Sequence, residues 1–271
     1  MPEALRERLR ALYPETSGRS LKQWLTGGRV SVNGVVVRRG DAAVAEDARV
    51  TLNQPVVEFP SPLRLVHSDE HVIVVDKPAG LLTIATETER ARTAYRLVRD
   101  WLDAQRAGRI FIVHRLDRET SGLLVFARTP AAKKRLQAQF EARRVERVYV
   151  ARVEGLVRES EGVLESRLAE DRDLRVRPVR DRARGRDAIT RYRVVGRRGD
   201  TTLLELALVT GRRGQIRAQL AALGHPIVGD RDHGARRDRA GRVCLHATRL
   251  AFIHPNGRRV VFESLPPGDF R

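Results

Sequence analysis

Cysteine is nearly absent from this 271-residue chain: Cys244 stands alone, which excludes an intramolecular disulfide and fits a reducing compartment. No apolar run approaches membrane-spanning length, and the N-terminal residues lack a secretory apolar segment. The expectation is a soluble, cytoplasmic protein with no membrane partner. Lysine is scarce as well: Lys22, Lys77, Lys133 and Lys134 are four of the 52 basic residues, so 48 are arginine. Acidic residues number only 34, and the resulting net charge of +18 points to a nucleic acid or an acidic surface. Part of so extreme an arginine bias reflects codon composition, and the excess is spread along the whole chain. Charge therefore selects a polyanionic partner without identifying it. His225, His246 and His254 lack ligand spacing, so no zinc site is expected. No nucleotide-binding motif, internal repeat or paired recognition-helix signature is present either, the last arguing against a DNA-binding regulator.

What is there divides into a small head and a large body. In the head, taken as residues 1–54, Leu5, Leu9 and Leu12 fall on one helical face. Ser20 is placed to cap a second helix carrying Leu21, Trp24 and Leu25, which Gly27 and Gly28 stop. Val30 to Val32 and Val35 to Val37 flank Asn33-Gly34, a pair that tolerates the positive φ of a hairpin turn. A strand over Arg49 to Leu52 closes the unit, and Arg19, Lys22 and Arg29 lie where they can meet phosphates. Residues 55–62, with Pro55, Pro60 and Pro62, read as a stiff linker.

The body, residues 63–271, reads as strands in series with a few helices, an α+β pattern with a mixed, mostly antiparallel central sheet flanked by helices. His71 to Val75 is a buried strand ended by Lys77-Pro78-Ala79-Gly80, and Ala94, Leu97, Val98, Trp101 and Leu102 mark an amphipathic helix. Helices are also expected over Pro130 to Glu141 and Gln215 to Leu223. The arginine-rich Arg172 to Arg186 joins two of several strands between Gly162 and Leu208. A final hairpin runs from Leu245 to Phe262 and turns at Asn256-Gly257.

The most informative stretch is His114 to Thr129. Ile110 to Val113 and Leu123 to Phe126 read as buried strands, and the polar turn between them carries one carboxylate, Asp117, flanked by Arg115 and Arg118. An acid on a loop between rigid strands can be aimed, and a nearby arginine keeps it ionised. Taken alone, such an aspartate is more often a turn-former in a surface ion pair.

Four ordered blocks, in addition to this stretch itself, reverse that reading. His114-Arg115-Leu116-Asp117 through Thr120-Ser121-Gly122-Leu123-Leu124 resembles the signature of the RluA-type pseudouridine synthases. Lys77-Pro78-Ala79-Gly80 is similar to a turn of that family, and Glu146 to Ala151 to its tyrosine-bearing strand. Thr210-Gly211, Gln215-Ile216-Arg217 and Gly224 to Asp230 resemble a third segment, and Leu245-His246-Ala247 through His254-Pro255 a closing hairpin. The head resembles the S-four RNA-binding domain, best at Gly28 to Gly34.

The resemblance implies a pseudouridine synthase catalytic fold preceded by a small α/β RNA-binding domain. It implies isomerisation of uridine to pseudouridine in RNA, with no cofactor and no metal. Asp117 takes the place of the family's essential aspartate, attacking either ribose carbon 1′ or the uracil ring. Arg217 takes that of the basic residue that pairs with it, and Tyr149 that of a tyrosine that stacks on uracil and helps remove the proton from carbon 5. The uridine must be flipped out of its stack. Arg115 then supports the RNA it left, Ile216 lines the base pocket, and Arg118 and Thr120 contact substrate. Arg213-Gly214 and His233-Gly234 depart from the family's Thr-His and Tyr-Gly, on loops expected to shape substrate contacts. The expected substrate is large-subunit ribosomal RNA, with transfer RNA or a binding-only role in ribosome assembly as alternatives, and the chain is expected to be a monomer.

Overall fold

The computed structural model describes residues 3–53, 58–87, 89–171, 176–179, 185–238 and 240–270. Its contacts divide the chain into two compact units, Met1–Glu58 and Phe59–Arg271. Phe59 packs edge-on against Trp101, with ring centroids 4.9 Å apart, so the second unit begins inside the expected linker.

In the first unit β1 (Glu3–Ala4) leads into α1 (Leu5–Leu12) and α2 (Gly18–Thr26), followed by β2 (Val30–Val32), β3 (Val35–Val36), β4 (Ala43–Val44) and β5 (Val50–Leu52). Leu5, Leu9, Leu21 and Leu25 bury together with Val30, Val44 and Ala48. Leu12 does not join them: it lies in the last turn of α1 and is 49% exposed. The helix ends at Tyr13, whose ring meets Trp24 edge-on and closes that side instead. Ser20 is not the cap of α2. Ser17 has the extended backbone a cap requires, and its hydroxyl accepts the Ser20 N–H at 3.2 Å. Asn33 and Gly34 take φ of 50° and 82°, the conformation expected of the hairpin turn.

The second unit is built on one large sheet. Its elements are β6 (Arg64–Ser68), β7 (Val72–Lys77), α3 (Ala94–Ala104), β8 (Phe111–Ile112), β9 (Ser121–Ala127), α4 (Pro130–Glu141) and β10 (Glu146–Glu154). After these come β11 (Glu161–Glu170), β12 (Val176–Val179), β13 (Arg186–Arg198), β14 (Thr201–Leu208), α5 (Gln215–Ala222), β15 (Leu245–Ile253) and β16 (Arg259–Glu263). Most of the arginine-rich connection between β11 and β13 lies outside the described residues. The strands run in the order β12-β11-β13-β14-β10-β15-β9-β7-β6, with β16 on β15 and β8 on β9.

Burial on both faces explains the unbroken apolar runs of β7 and β9. Ile73, Val75, Leu124 and Phe126 share a core with Val98 and Leu102 of α3. Their neighbours Val72, Val74, Leu123 and Val125 pack with Ala132 and Leu136 of α4. The strand expected over Ile110 to Val113 shrinks to the two residues of β8, because only β9 is beside it to pair with. Among the described residues no helix is long and apolar enough to cross a membrane.

Every described pairing in this sheet is antiparallel except that of β9 with β15, where Ser121 faces His246 and Gly122 faces Ala247. This join fuses the two halves of the sheet immediately after the Asp117 loop. Gly122 has φ of 110°, and a Cβ there would lie 2.3 Å from the Ala247 carbonyl oxygen and 2.5 Å from its nitrogen. Backbone on both sides leaves nothing flexible to yield. Gly122→Ala is therefore expected to cost about 3 kcal/mol or more, read as a fall in the urea midpoint of unfolding. A loss within about 0.5 kcal/mol, the range of a neutral surface change, would mean the two half-sheets separate easily.

Candidate active site

The loop carrying Asp117 is fastened from beneath by buried groups. Lys77, at the end of β7, is fully buried, and its ammonium donates to the carbonyls of Pro78, Leu81 and Arg118 at 2.8, 2.7 and 3.3 Å. Burial pulls its pKa down to about 7, against the opposing pull of Asp117 and Glu119. The Gly80 N–H donates to the same Arg118 carbonyl, and Thr83 Oγ1 exchanges hydrogen bonds with the N–H and carbonyl of Leu116. His114 anchors the other end of the loop. Its Nε2 accepts the Val125 N–H at 3.1 Å, its ring stacks on Phe140, and burial takes its pKa to about 3, so it is a neutral acceptor.

The carboxylate meets α5. Asp117 Oδ2 accepts the N–H of Gly214, the residue before the first turn of this helix, at 3.1 Å. Gly214 takes φ of 58°, which turns its N–H toward the loop. Gln215 holds the helix start in place. Its side-chain oxygen accepts from Thr210 Oγ1 and the Arg212 N–H, while its amide donates to Ile189 and Thr190. One turn of helix brings Arg217 to the same side, close enough that Asp117 acts on its charge. Its direct partner, however, is Asp230. Nε and Nη2 donate to the two carboxylate oxygens at 2.7 and 2.6 Å, a bidentate pair with Asp230 wholly buried and Arg217 11% exposed. His233 Nδ1 lies 3.1 Å from Asp230 Oδ1. Burial alone would raise the Asp230 pKa, but the hydrogen bonds from Arg217 and His233 hold it below the usual carboxylate value.

Tyr149 comes from the middle of β10 and is 7% exposed. Burial pushes its pKa up to about 12, so it is a phenol across the neutral range. Asp117, Tyr149, Arg217, Thr120 and Ile216 line one cleft of about 540 Å³. Its walls also carry Arg115, Arg143, Arg147, Arg212 and Arg213, so six arginines face two carboxylates, Asp117 and Glu141. Such an excess of positive charge suits the cleft to an anion.

Most of the expected site residues thus converge, with two corrections. The direct ion pair expected between Asp117 and Arg217 is not formed, because Asp230 takes both nitrogens on one edge of the guanidinium. Arg118 does not reach the cleft: its Nε donates to the Gly80 carbonyl at 3.2 Å, and the side chain braces the turn after Lys77. The two departures from the family pattern are nearer the centre than expected, since Gly214 touches Asp117 and His233 touches Asp230. Lys77, Asp230, Gln215 and Arg147 lie within the family-like blocks, but the sequence assigns them no role, because pairing and burial are set by packing and leave no local signature. In the head, Arg19 and Lys22 are exposed on α2, and Arg29 lies over the Trp24 ring at 5.5 Å. Among the described residues no cluster of histidine, cysteine or acidic side chains could hold a metal ion.

Two measurements follow from this geometry. Asp230→Ala leaves the largely buried Arg217 guanidinium with only the exposed Asp232 carboxylate, 3.4 Å from Nη2, as its ion-pair partner, and is expected to cost about 3 kcal/mol in denaturant unfolding. Replacing both partners with apolar residues should recover most of that loss. The raised Tyr149 pKa has a defined sign. The unfolded chain ionises this phenol from about pH 10, its ordinary value, whereas the folded chain holds the proton to about 12. Its contribution to stability is intact below pH 10 and is lost as the pH rises to 12. The difference in phenolate absorbance between wild type and Tyr149→Phe should therefore titrate near 12, and an ordinary value would refute the buried assignment.

Known proteins similar to this chain identify its family. The model of the RNA pseudouridylate synthase family matches residues 71–222, more than half of the chain. An RNA pseudouridine synthase of Aquifex aeolicus is 33% identical, over 99% of this chain and 92% of its own. Ribosomal large subunit pseudouridine synthase D of Neisseria meningitidis is 34% identical, over 96% and 75%. The dual-specificity RNA pseudouridine synthase RluA of Vibrio cholerae is 36% identical, over 70% and 77%. The solved structure of human RNA pseudouridylate synthase domain containing 1 superposes with a TM-score of 0.63 at 25% identity, covering 76% of this chain and 84% of that one. With its sheet, its cleft and these relatives in agreement, the chain belongs to the RluA-type RNA pseudouridine synthases, isomerases of uridine in RNA.

Proposed function

We propose that this isomerase acts on large-subunit ribosomal RNA, with Asp117 as the nucleophile toward a uridine flipped into the arginine-lined cleft. The observation that carries the reading is the placing of Asp117. It is the acid at the base of the cleft, aimed by a buried clamp and capped by the Gly214 N–H. Relatives named for the ribosomal large subunit, matched over 96% of this chain, support the substrate. The reaction breaks the bond from ribose carbon 1′ to nitrogen 1 and forms one to carbon 5. The carbon 5 proton is released and nitrogen 1 is protonated. Asp117 attacks either carbon 1′ or the ring, and both routes need it ionised.

The other side chains divide the work. Tyr149 offers the base a flat apolar face, and as a phenol it acts through stacking and its hydroxyl rather than as a standing base. Ile216 and Thr120, both buried, shape the base pocket. Arg217 sets the field at Asp117, and exposed Arg115 supports the RNA that the uridine leaves. Arg19, Lys22 and Arg29 of the S-four-like head contact phosphates elsewhere on the RNA.

The test is release of tritium from ribosomal RNA labelled at uracil carbon 5. Asp117→Asn should lower the rate on the order of 10⁴-fold or more, as loss of a nucleophile does, without lowering RNA affinity. No release from any RNA fraction would favour a binding-only role, and release from transfer RNA alone would move the substrate. Replacing Arg19 and Lys22 with Gln should flatten the salt dependence of binding by about 0.7 per lost single-strand phosphate contact, with turnover at saturating RNA unchanged.

A further inference from the structure

Arg147 is the one cleft arginine that is both withdrawn from water and unpaired among the described residues. Arg217 is held by Asp230, Arg213 by Glu170 and Arg212 by the Asp187 carbonyl, while Arg115 and Arg143 are exposed and solvated. Arg147 has no hydrogen bond or ion pair in the described structure, and its Nε is buried without a partner. Its guanidinium rests over the Phe140 ring at 5.7 Å. On the other side it lies against Gly211, where a Cβ would come within 2.3 Å of Nη1. Only glycine leaves the guanidinium that space. Burial accordingly lowers the Arg147 pKa, the mark of a cation kept from water without compensation.

The position relative to the chemistry is also defined. Arg147 and Tyr149 are two residues apart on β10, and both line the cleft. Tyr149 feels the charges of both Arg147 and Asp117, and Asp117 in turn acts on Arg217. The two arginines therefore serve different parts of one site, Arg217 beside the nucleophile and Arg147 beyond the tyrosine. A nucleotide of RNA entering this cleft carries one kind of anionic group, its flanking phosphodiesters. Uracil carbonyls are neutral and leave a half-buried guanidinium uncompensated, whereas a phosphate oxygen matches its planar fork.

We propose that Arg147, seated between Phe140 and Gly211, grips a phosphodiester adjoining the flipped uridine and so holds the nucleotide in register with Asp117. This rests on the reading of Asp117 as the reacting group, and the test separates the two. Short RNAs containing the uridine that wild type modifies are made with a neutral methylphosphonate at one flanking phosphate or the other. Tritium release is then followed with wild type, Arg147→Gln and Gly211→Ala. For wild type, one of the two neutral linkages should raise KM about tenfold or more, the loss of one charge-assisted hydrogen bond. Arg147→Gln should raise KM similarly on unmodified RNA, keep turnover at saturation, and be indifferent to that linkage. Gly211→Ala keeps the charge but displaces it, and should behave like Arg147→Gln at unchanged melting temperature, while Arg147→Lys restores part of the loss. Additive penalties at both linkages would overturn the proposal, as would a loss confined to turnover. If wild type itself releases no label from any RNA, it is the reading of Asp117 that fails.

Discussion

The site depends on one buried ammonium. Lys77 sits at the end of a strand inside the core, and its three donors are taken by carbonyls of the turn that follows it and of the Asp117 loop. Charge-assisted bonds to three acceptors offset the cost of burying the amine, and they tie two loops 41 residues apart into one body. The same carbonyl of Arg118 also receives the Gly80 N–H, so the clamp grips the loop one residue past the carboxylate. Thr83 on the backbone of Leu116 and the Arg118 guanidinium on the Gly80 carbonyl reinforce it. A carboxylate on a free loop is a surface group, whereas here it is held against the start of α5.

From that clamp the rest of the site follows as a sequence of supports. The parallel join of β9 to β15, close-packed at Gly122, places the end of the loop relative to the far half of the sheet. Gln215 and Gln219 satisfy buried groups of β13 and fix the helix that carries Arg217. Asp230 then takes one edge of the Arg217 guanidinium, which stays near Asp117 without neutralising it by direct pairing. Asp117 thus has a backbone donor and a nearby cation, without a direct side-chain ion pair among the described residues.

The periodicity of the chain made most elements legible. Helices α3 and α4 start at the threonine caps Thr93 and Thr129, and the apolar runs of β7 and β9 announce strands covered on both faces. Sequence and structure differ where local signals compete. Ser17 and Ser20 are both able to cap, and Leu12 continues an apolar stripe that the end of its helix leaves exposed. Asp117, Tyr149 and Arg217 were readable because each sits inside a block that resembles a known family. Arg118 was misread because its place beside Asp117 says nothing about its direction, and along a turn neighbouring side chains diverge.

By itself the sequence determined the fold class, the polyanionic character of the partner and the residues able to do chemistry. These depend on residue type and short spacing, which the chain carries in order. The tertiary structure alone decided which groups are paired. Arg217 belongs to Asp230, Lys77 to three carbonyls and Arg147 to no anion of the described protein, because each partnership joins or separates segments that only the closed sheet brings together. A charge in the sequence is a possibility. Burial and the presence or absence of a partner make it a brace, a field or an empty hand for the substrate.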